Sequence, residues 1–170
     1  MNLEDKALVF ATAAHAAIGQ TRKYTKEPYI NHPIRVKEIM DKYAGNVTDT
    51  MRAAALLHDV VEDTDISLDL IEEQFGSEVM ELVFWLTDKS KKSDGNRKLR
   101  KAIDRESLAR APAEAQTIKL ADLIDNSDSI EKYDASFWKV YSEEKKALLA
   151  VLTKGDTVLQ SIAQQMMGGV

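Results

Sequence analysis

"AAALLHDVVEDT", residues 53–64, is the stretch on which the reading of the chain turns. Ala53 to Leu57 is unbroken apolar chain, the kind of segment that belongs inside a protein. His58, Asp59, Glu62 and Asp63 then place four ionisable groups within six positions. On a helix, residues three and four apart share a face, so His58 lies over Glu62 and Asp59 over Asp63. His58 and Asp59 are about 100° apart around the axis and can point at one centre between helices. Leu56, Leu57 and Val60 pack on their own sides. Charge set against a core is costly unless something compensates it.

Working outward, apolar residues recur at helical spacing almost throughout. Leu3, Ala7, Phe10, Ala14 and Ile18 make one stripe, closed by Gly19. Pro33 opens a second helix that ends at Gly45. Thr48 caps a third, through Met51, Ala54, Ala55 and Val61. Ser67 and Ser77 are read as caps of a fourth and a fifth, with Gly76 between them. A sixth spans Arg97 to Arg110, and Pro112 opens a seventh with Ile118, Leu120, Leu123 and Ile124. Ser136 begins an eighth that runs to about Leu159, with a break at Gly155-Asp156. "TDISLDL" alternates briefly but is too short to read as a strand. The expectation is an all-α bundle of about eight helices in a single domain.

Composition agrees with a soluble globular domain. The chain has 170 residues, 44 % hydrophobic and 30 % charged, which suffices for one unstapled core. A net charge of −5 argues against non-specific binding of a nucleic-acid polymer. No apolar run approaches a membrane span. The N-terminus MNLEDKALVF has no basic region ahead of an apolar one, so it is not a secretory signal. With no cysteine, disulfides and thiolate metal sites are excluded, and a cytoplasmic location is expected. Two loops, 19–31 and 88–96, are rich in Lys and Arg within an acidic protein.

Only three histidines are present, His15, His32 and His58. His32 stands just before Pro33 at a helix mouth. In "IKLADLIDN", residues 118–126, Lys119, Asp122 and Asn126 fall on one helical face, and the Asp122 carboxylate lies among Leu120, Ala121, Leu123 and Ile124. His32, His58, Asp59 and Asp122 together offer an N/O ligand set. It suits Mn²⁺, Fe²⁺ or Zn²⁺ better than Ca²⁺. A dication also answers the cost of those carboxylates. Taken singly, each feature has an ordinary explanation. A His-Asp pair can be a hydrogen-bonded pair, and Asp122 can pair with Lys119. Glu62, Asp63 and Asp65 can be a solvated helix end. His15, on the first helix, reads as structural.

The order H … HD … D resembles the signature of the HD-domain metal-dependent phosphohydrolases. "YINHPIRV", "AAALLHDVVEDT" and "IKLADLIDN" more narrowly resemble the hydrolase domain of the RelA/SpoT alarmone enzymes and its free-standing form, over about residues 5–150. That resemblance implies Mn²⁺-dependent hydrolysis of the 3′-pyrophosphate of a guanosine or adenosine alarmone, releasing pyrophosphate. It assigns His32, His58, Asp59 and Asp122 as metal ligands and Glu62 with Asp63 as the acidic pair that orients or deprotonates the attacking water. It assigns Arg22, Lys23, Lys119 and Asn126, and more loosely Tyr141, to the substrate. Residues 1–170 are then one hydrolase domain with no synthetase or regulatory domain. Two other readings stay open: a metal-dependent phosphatase acting on another nucleotide such as NADPH, and a non-catalytic nucleotide-binding module. Oligomeric state and base identity are not legible.

Overall fold

Most helices begin where a side chain satisfies the first free backbone N–H groups. Asn2, Thr48, Ser67, Asn96, Asp134 and Asp156 each accept from a backbone N–H two or three residues on. The protein is described by a computed structural model over residues 1–168. Its helices are α1 (Leu3–Ala17), α2 (Asn31–Tyr43), α3 (Asp49–Leu57), α4 (Val60–Asp63), α5 (Leu68–Phe75), α6 (Ser77–Leu86), α7 (Arg97–Arg110), α8 (Ala113–Tyr133), α9 (Ala135–Leu149) and α10 (Thr157–Met166). A 3₁₀ turn, Lys92–Asp94, precedes α7. Among the described residues the only strand-like pairing is an isolated bridge between Thr21 and Pro28, so the all-α expectation holds. No described helix is long and apolar enough to cross a membrane.

The ten segments exceed the expected eight for two physical reasons. The helix read through residues 58–61 breaks after Leu57, because His58 and Asp59 form a turn that separates α3 from the single-turn α4. The long last helix ends at Leu149, and α10 starts at Thr157. Between them, side chains of α8 capture the backbone: Lys154 N–H donates to Gln116 Oε1 (2.8 Å) and Asp156 N–H to Thr117 Oγ1 (3.0 Å). A Cβ on Gly155 would sit 2.6 Å from Leu120 Cδ1 and 3.3 Å from the Gln116 carbonyl carbon, so any larger residue would force the buried Leu120 side chain to shift. Two caps also shift. Ser77 is the first residue of α6, with Gly76 at φ 88° as its cap, and α9 is capped by Asp134 rather than opened by Ser136.

Two helices form the axis of the core. On α3, Ala53 through Leu57 are all buried, and α3 packs against α1, α2, α6 and α8. Alanines 7 and 11 of α1 are fully buried and permit close helix approach there. On α8, Ile118, Leu120, Ala121 and Leu123 are buried among α2, α9 and α10. The first turn of α2, the end of α3 and the middle of α8 carry the residues of the site described next.

A candidate metal centre at the floor of a cleft

Helix α2 brings in His32, the turn between α3 and α4 brings His58 and Asp59, and α8 brings Asp122. Ligand atoms of His32, His58 and Asp59 all lie within 4.8 Å of one another. His32 Nε2 stands 3.0 Å from Asp122 Oδ1 and 3.6 Å from Asp59 Oδ2. His58 Nε2 stands 3.1 Å from Asp59 Oδ2 and 3.4 Å from Asp122 Oδ1. Two atoms each about 2.1 Å from a shared ion are about 3.0–3.4 Å apart, so these spacings fit a divalent ion with small adjustments.

The hydrogen bonds point the same way. His58 Nδ1–H donates to the Ala55 carbonyl at 2.7 Å. A carbonyl only accepts, so Nδ1 carries the hydrogen and Nε2 is free to offer a lone pair. That Nε2 is buried without a hydrogen-bond partner, an orphan that an ion would satisfy. His32 Nδ1–H donates to Asp125 Oδ2 at 2.6 Å, again turning Nε2 toward the centre. Imidazoles held this way through their far nitrogen are typical of metal ligands. Asp125 is itself gripped by Arg35 Nε (2.9 Å) and lies 3.6 Å from Arg22, and Arg35 also binds Glu27 (2.9 Å).

The carboxylates are equally constrained. Asp59 Oδ2 accepts from the Tyr29 hydroxyl at 2.6 Å. Asp122 accepts from Lys119 Nζ and from Asn126 Nδ2, both at 2.8 Å. Burial pushes both carboxyls up, but His58 beside Asp59 and Lys119 beside Asp122 outweigh it and hold them below the usual range. Burial pushes His32 and His58 down, but Asp122 with Asp125 outweighs it at His32 and Asp59 with Asp122 at His58, and both end above the ordinary value. Protons and a dication therefore compete for the same Nε2 atoms, and binding an ion releases protons.

Above this floor opens a cleft of about 230 Å³. Glu62 and Asp63 stand on its wall and diverge, as adjacent residues of a helix do. Glu62 Oε1 accepts from Asp88 N–H (2.9 Å). Its enclosure and the neighbouring Asp88 push its carboxyl up to about 7. Asp63 Oδ2 accepts from Gln20, which in turn bonds His15 Nδ1, so His15 is a structural support. Lys119, Asn126 and Tyr141 line the same cleft. Arg22 and Lys23 do not; they line an adjoining hollow of about 160 Å³ with Tyr24 and Phe137, joined to the cleft through Asn126 and Ile130. There Arg22 Nη2 donates to Asn126 Oδ1 (3.2 Å) and Lys23 lies over the Tyr24 and Phe137 rings.

Sequence reading missed Tyr29, Asp88, Lys101, Asp125 and Lys145. Asp125 carried a readable signal, three residues beyond Asp122 on an adjacent part of the same face. Of the 88–96 loop, Asp88 lines the cleft, and the next two residues are pinned by Asp104, which accepts from Lys89 N–H, Ser90 N–H and the Ser90 hydroxyl (2.8 Å each).

The HD-domain family model matches residues 7–154. The chain is 36 % identical over 159 residues to the mouse protein named guanosine-3′,5′-bis(diphosphate) 3′-pyrophosphohydrolase MESH1, covering 91 % of this chain and 84 % of that one. It is 34 % identical over 150 residues to a probable enzyme of the same name from Synechocystis, covering 86 % of this chain but 19 % of that one. A solved structure, titled as a metazoan ortholog of SpoT that hydrolyzes ppGpp, superposes with a TM-score of 0.86 at 31 % identity, over 98 % of this chain and 94 % of that one. The adjacent His58 and Asp59 at the centre of the site, and a match across nearly the whole sequence, place this chain in the HD-domain family.

Proposed function

We propose that the chain hydrolyses the 3′-pyrophosphate of a nucleotide such as guanosine-3′,5′-bis(diphosphate), releasing pyrophosphate and a free 3′-hydroxyl. The observation that carries this is the centre itself: two imidazole Nε2 atoms and two carboxylate oxygens converge beneath a cleft lined by Glu62. His32, His58, Asp59 and Asp122 would hold the ion; their mixed N/O set suits Mn²⁺, Fe²⁺ or Zn²⁺, and Mn²⁺ is the one proposed, as the resemblance to the alarmone hydrolases implies. When bound, the ion polarises a phosphoryl oxygen and lowers the pKa of water.

Glu62 accepts a proton as water attacks the phosphorus joined to the 3′-oxygen, and the P–O3′ bond breaks. Its carboxyl, raised to about 7, is suited to both taking up and giving back that proton near neutrality. Asp63, fixed by Gln20, orients the water from the other side. Lys119 offsets phosphoryl charge. The nucleoside occupies the adjoining hollow, where Arg22, Lys23 and Asn126 meet the aromatic face of Phe137. The setting is a cytoplasm in which such nucleotides circulate.

The reading is tested by incubating Mn²⁺-supplemented protein with guanosine and adenosine 3′,5′-bis(diphosphates) and with NADPH, resolving pyrophosphate from orthophosphate. Pyrophosphate from a bis(diphosphate) is expected, and Asp59→Asn should abolish its release. Orthophosphate alone, from any of the three, transfers the assignment to a phosphatase. Persistence of all three substrates leaves a binding module.

A further inference from the structure

Lys145, on α9, faces the cleft without a counter-ion. Among the described residues no carboxylate oxygen lies within 4.0 Å of its Nζ, which sits 4.9 Å from the Tyr141 ring centroid. Its cationic neighbours are engaged: Lys119 with Asp122 at 2.8 Å, and Lys101 with Asp88 at a loose 3.8 Å. Burial and repulsion from Lys119 and Lys101 push the Lys145 ammonium down to about 8. Asp122 and Glu144 attract it only from beyond ion-pair distance, so this half-buried cation beside Lys119 and Lys101 has no directly paired anion among the described residues.

The position of this group along the cleft says which anion. The hollow that takes the nucleoside joins the cleft at Asn126 and Ile130. At the other end, a small chamber of about 40 Å³ joins it at Asp88, Lys101, Lys119 and Lys145. Along α8, Lys119 stands one turn before Asp122 and Asn126 one turn after it, and both bond its carboxylate, so the metal centre at Asp122 lies between the lysine end and the Asn126 end. The rest of the cleft wall carries Asp59, Glu62 and Asp63, which repel phosphate, while Asp88 at the lysine end is paired with Lys101. A nucleoside seated at the first end and a scissile phosphorus at the centre direct whatever lies beyond that phosphorus toward the lysines.

We infer that Lys145, with Lys101 and Lys119, seats the outer phosphate of the 3′-pyrophosphate and so selects a pyrophosphate over a single phosphate. This rests on the hydrolase reading above. A substrate with one phosphate leaves the ammonium unsatisfied and loses that contact.

The test uses the full chain with saturating Mn²⁺. Lys145→Met keeps the aliphatic stem and removes the charge, and Lys145→Arg restores the charge. Pyrophosphate release from guanosine-3′,5′-bis(diphosphate) is measured alongside calorimetric binding of guanosine 5′-diphosphate, which lacks the 3′ group. In Lys145→Met, kcat/KM is expected to fall about ten- to a hundredfold, the scale of one charge-assisted contact. Lys145→Arg should recover most of the loss, and 5′-diphosphate binding should not change. If Lys145→Met melts at ambient temperature, Lys101→Met carries the same expectation. An unchanged kcat/KM in an active, folded variant overturns the inference alone. So does an equal weakening of 5′-diphosphate binding, which moves the lysines to the other end of the nucleotide. A wild-type protein that releases no pyrophosphate removes the hydrolase reading and the inference together, and is recognisable because no variant is needed to see it.

Discussion

Replacing Asp125 with Asn should weaken metal binding while leaving the four ligands in place. Asp125 touches no ion in the proposed site; it acts through His32, whose Nδ1–H it accepts at 2.6 Å. The carboxylate makes the imidazole a better donor and fixes its ring, and loss of such a partner typically costs 10- to 100-fold in metal affinity, about 1.4–2.7 kcal/mol. An independent route gives a similar size, since a hydrogen bond to a charged group contributes about 1.5–3 kcal/mol. The side chain is only 8 % exposed, so solvent does little to replace it. Stability should also change. Arg35 keeps Glu27 and Arg22 keeps Asn126, so the metal-free fold should lose about 1–3 kcal/mol rather than collapse. The pH dependence has a definite sign. Burial raises the Asp125 carboxyl, but the bonds from His32 and Arg35 outweigh it and the net shift is downward. A lowered carboxyl stabilises the fold above its unfolded pKa, and that contribution disappears as the pH falls through the folded value. The stability gap between wild type and Asp125→Asn should therefore be full at neutral pH and shrink in acid. Chelator competition with Mn²⁺, followed by urea melts across pH, measures both. Wild-type Mn²⁺ affinity in a folded Asp125→Asn protein would refute the supporting role assigned to this carboxylate.

Three further perturbations test other parts of the molecule. Glu62→Gln should lower kcat by about 10²–10⁴ with Mn²⁺ still bound, and the acid limb of the wild-type rate profile should lie between about pH 5 and about 7, since a nearby cation lowers the value that enclosure raises; a profile flat from about pH 5 to about pH 8 contradicts the assignment. Tyr29→Phe removes the hydroxyl that donates to Asp59 but keeps the ring against His15 and His32, so Mn²⁺ affinity should drop about 3- to 10-fold with the melting temperature little changed. Gly155→Ala pushes a methyl to 2.6 Å from Leu120 Cδ1, and overpacking of about 1–3 kcal/mol should lower Tm by roughly 2–4 °C per kcal/mol. An unshifted melting curve there would mean that the α9–α10 crossing yields more easily than its contacts suggest.

What the amino-acid sequence discloses about this protein depends on where each residue's partner lies. The bundle was legible because an apolar stripe is a local pattern, and caps such as Thr48 and Asn96 act within their own turn. Lys119, Asp122 and Asn126 were legible for the same reason: they bond one another along a single face of α8. The helix breaks were not, because their causes come from elsewhere in the chain. The helix is interrupted at His58 and Asp59, where α2 and α8 bring His32 and Asp122 to meet them, and residues 154–156 are held by Gln116 and Thr117. Lys145 is the extreme case. In "YSEEKK" it reads as one more charge on a solvated face, and only the arrival of Lys119 and Lys101 from α8 and α7 makes it an ammonium in need of an anion. The residues that hold an ion can be found by chemical type, since few side chains ligate metals and their number here is small. Those that choose a substrate are ordinary lysines and arginines, and they acquire meaning only from the surfaces that the fold sets around them.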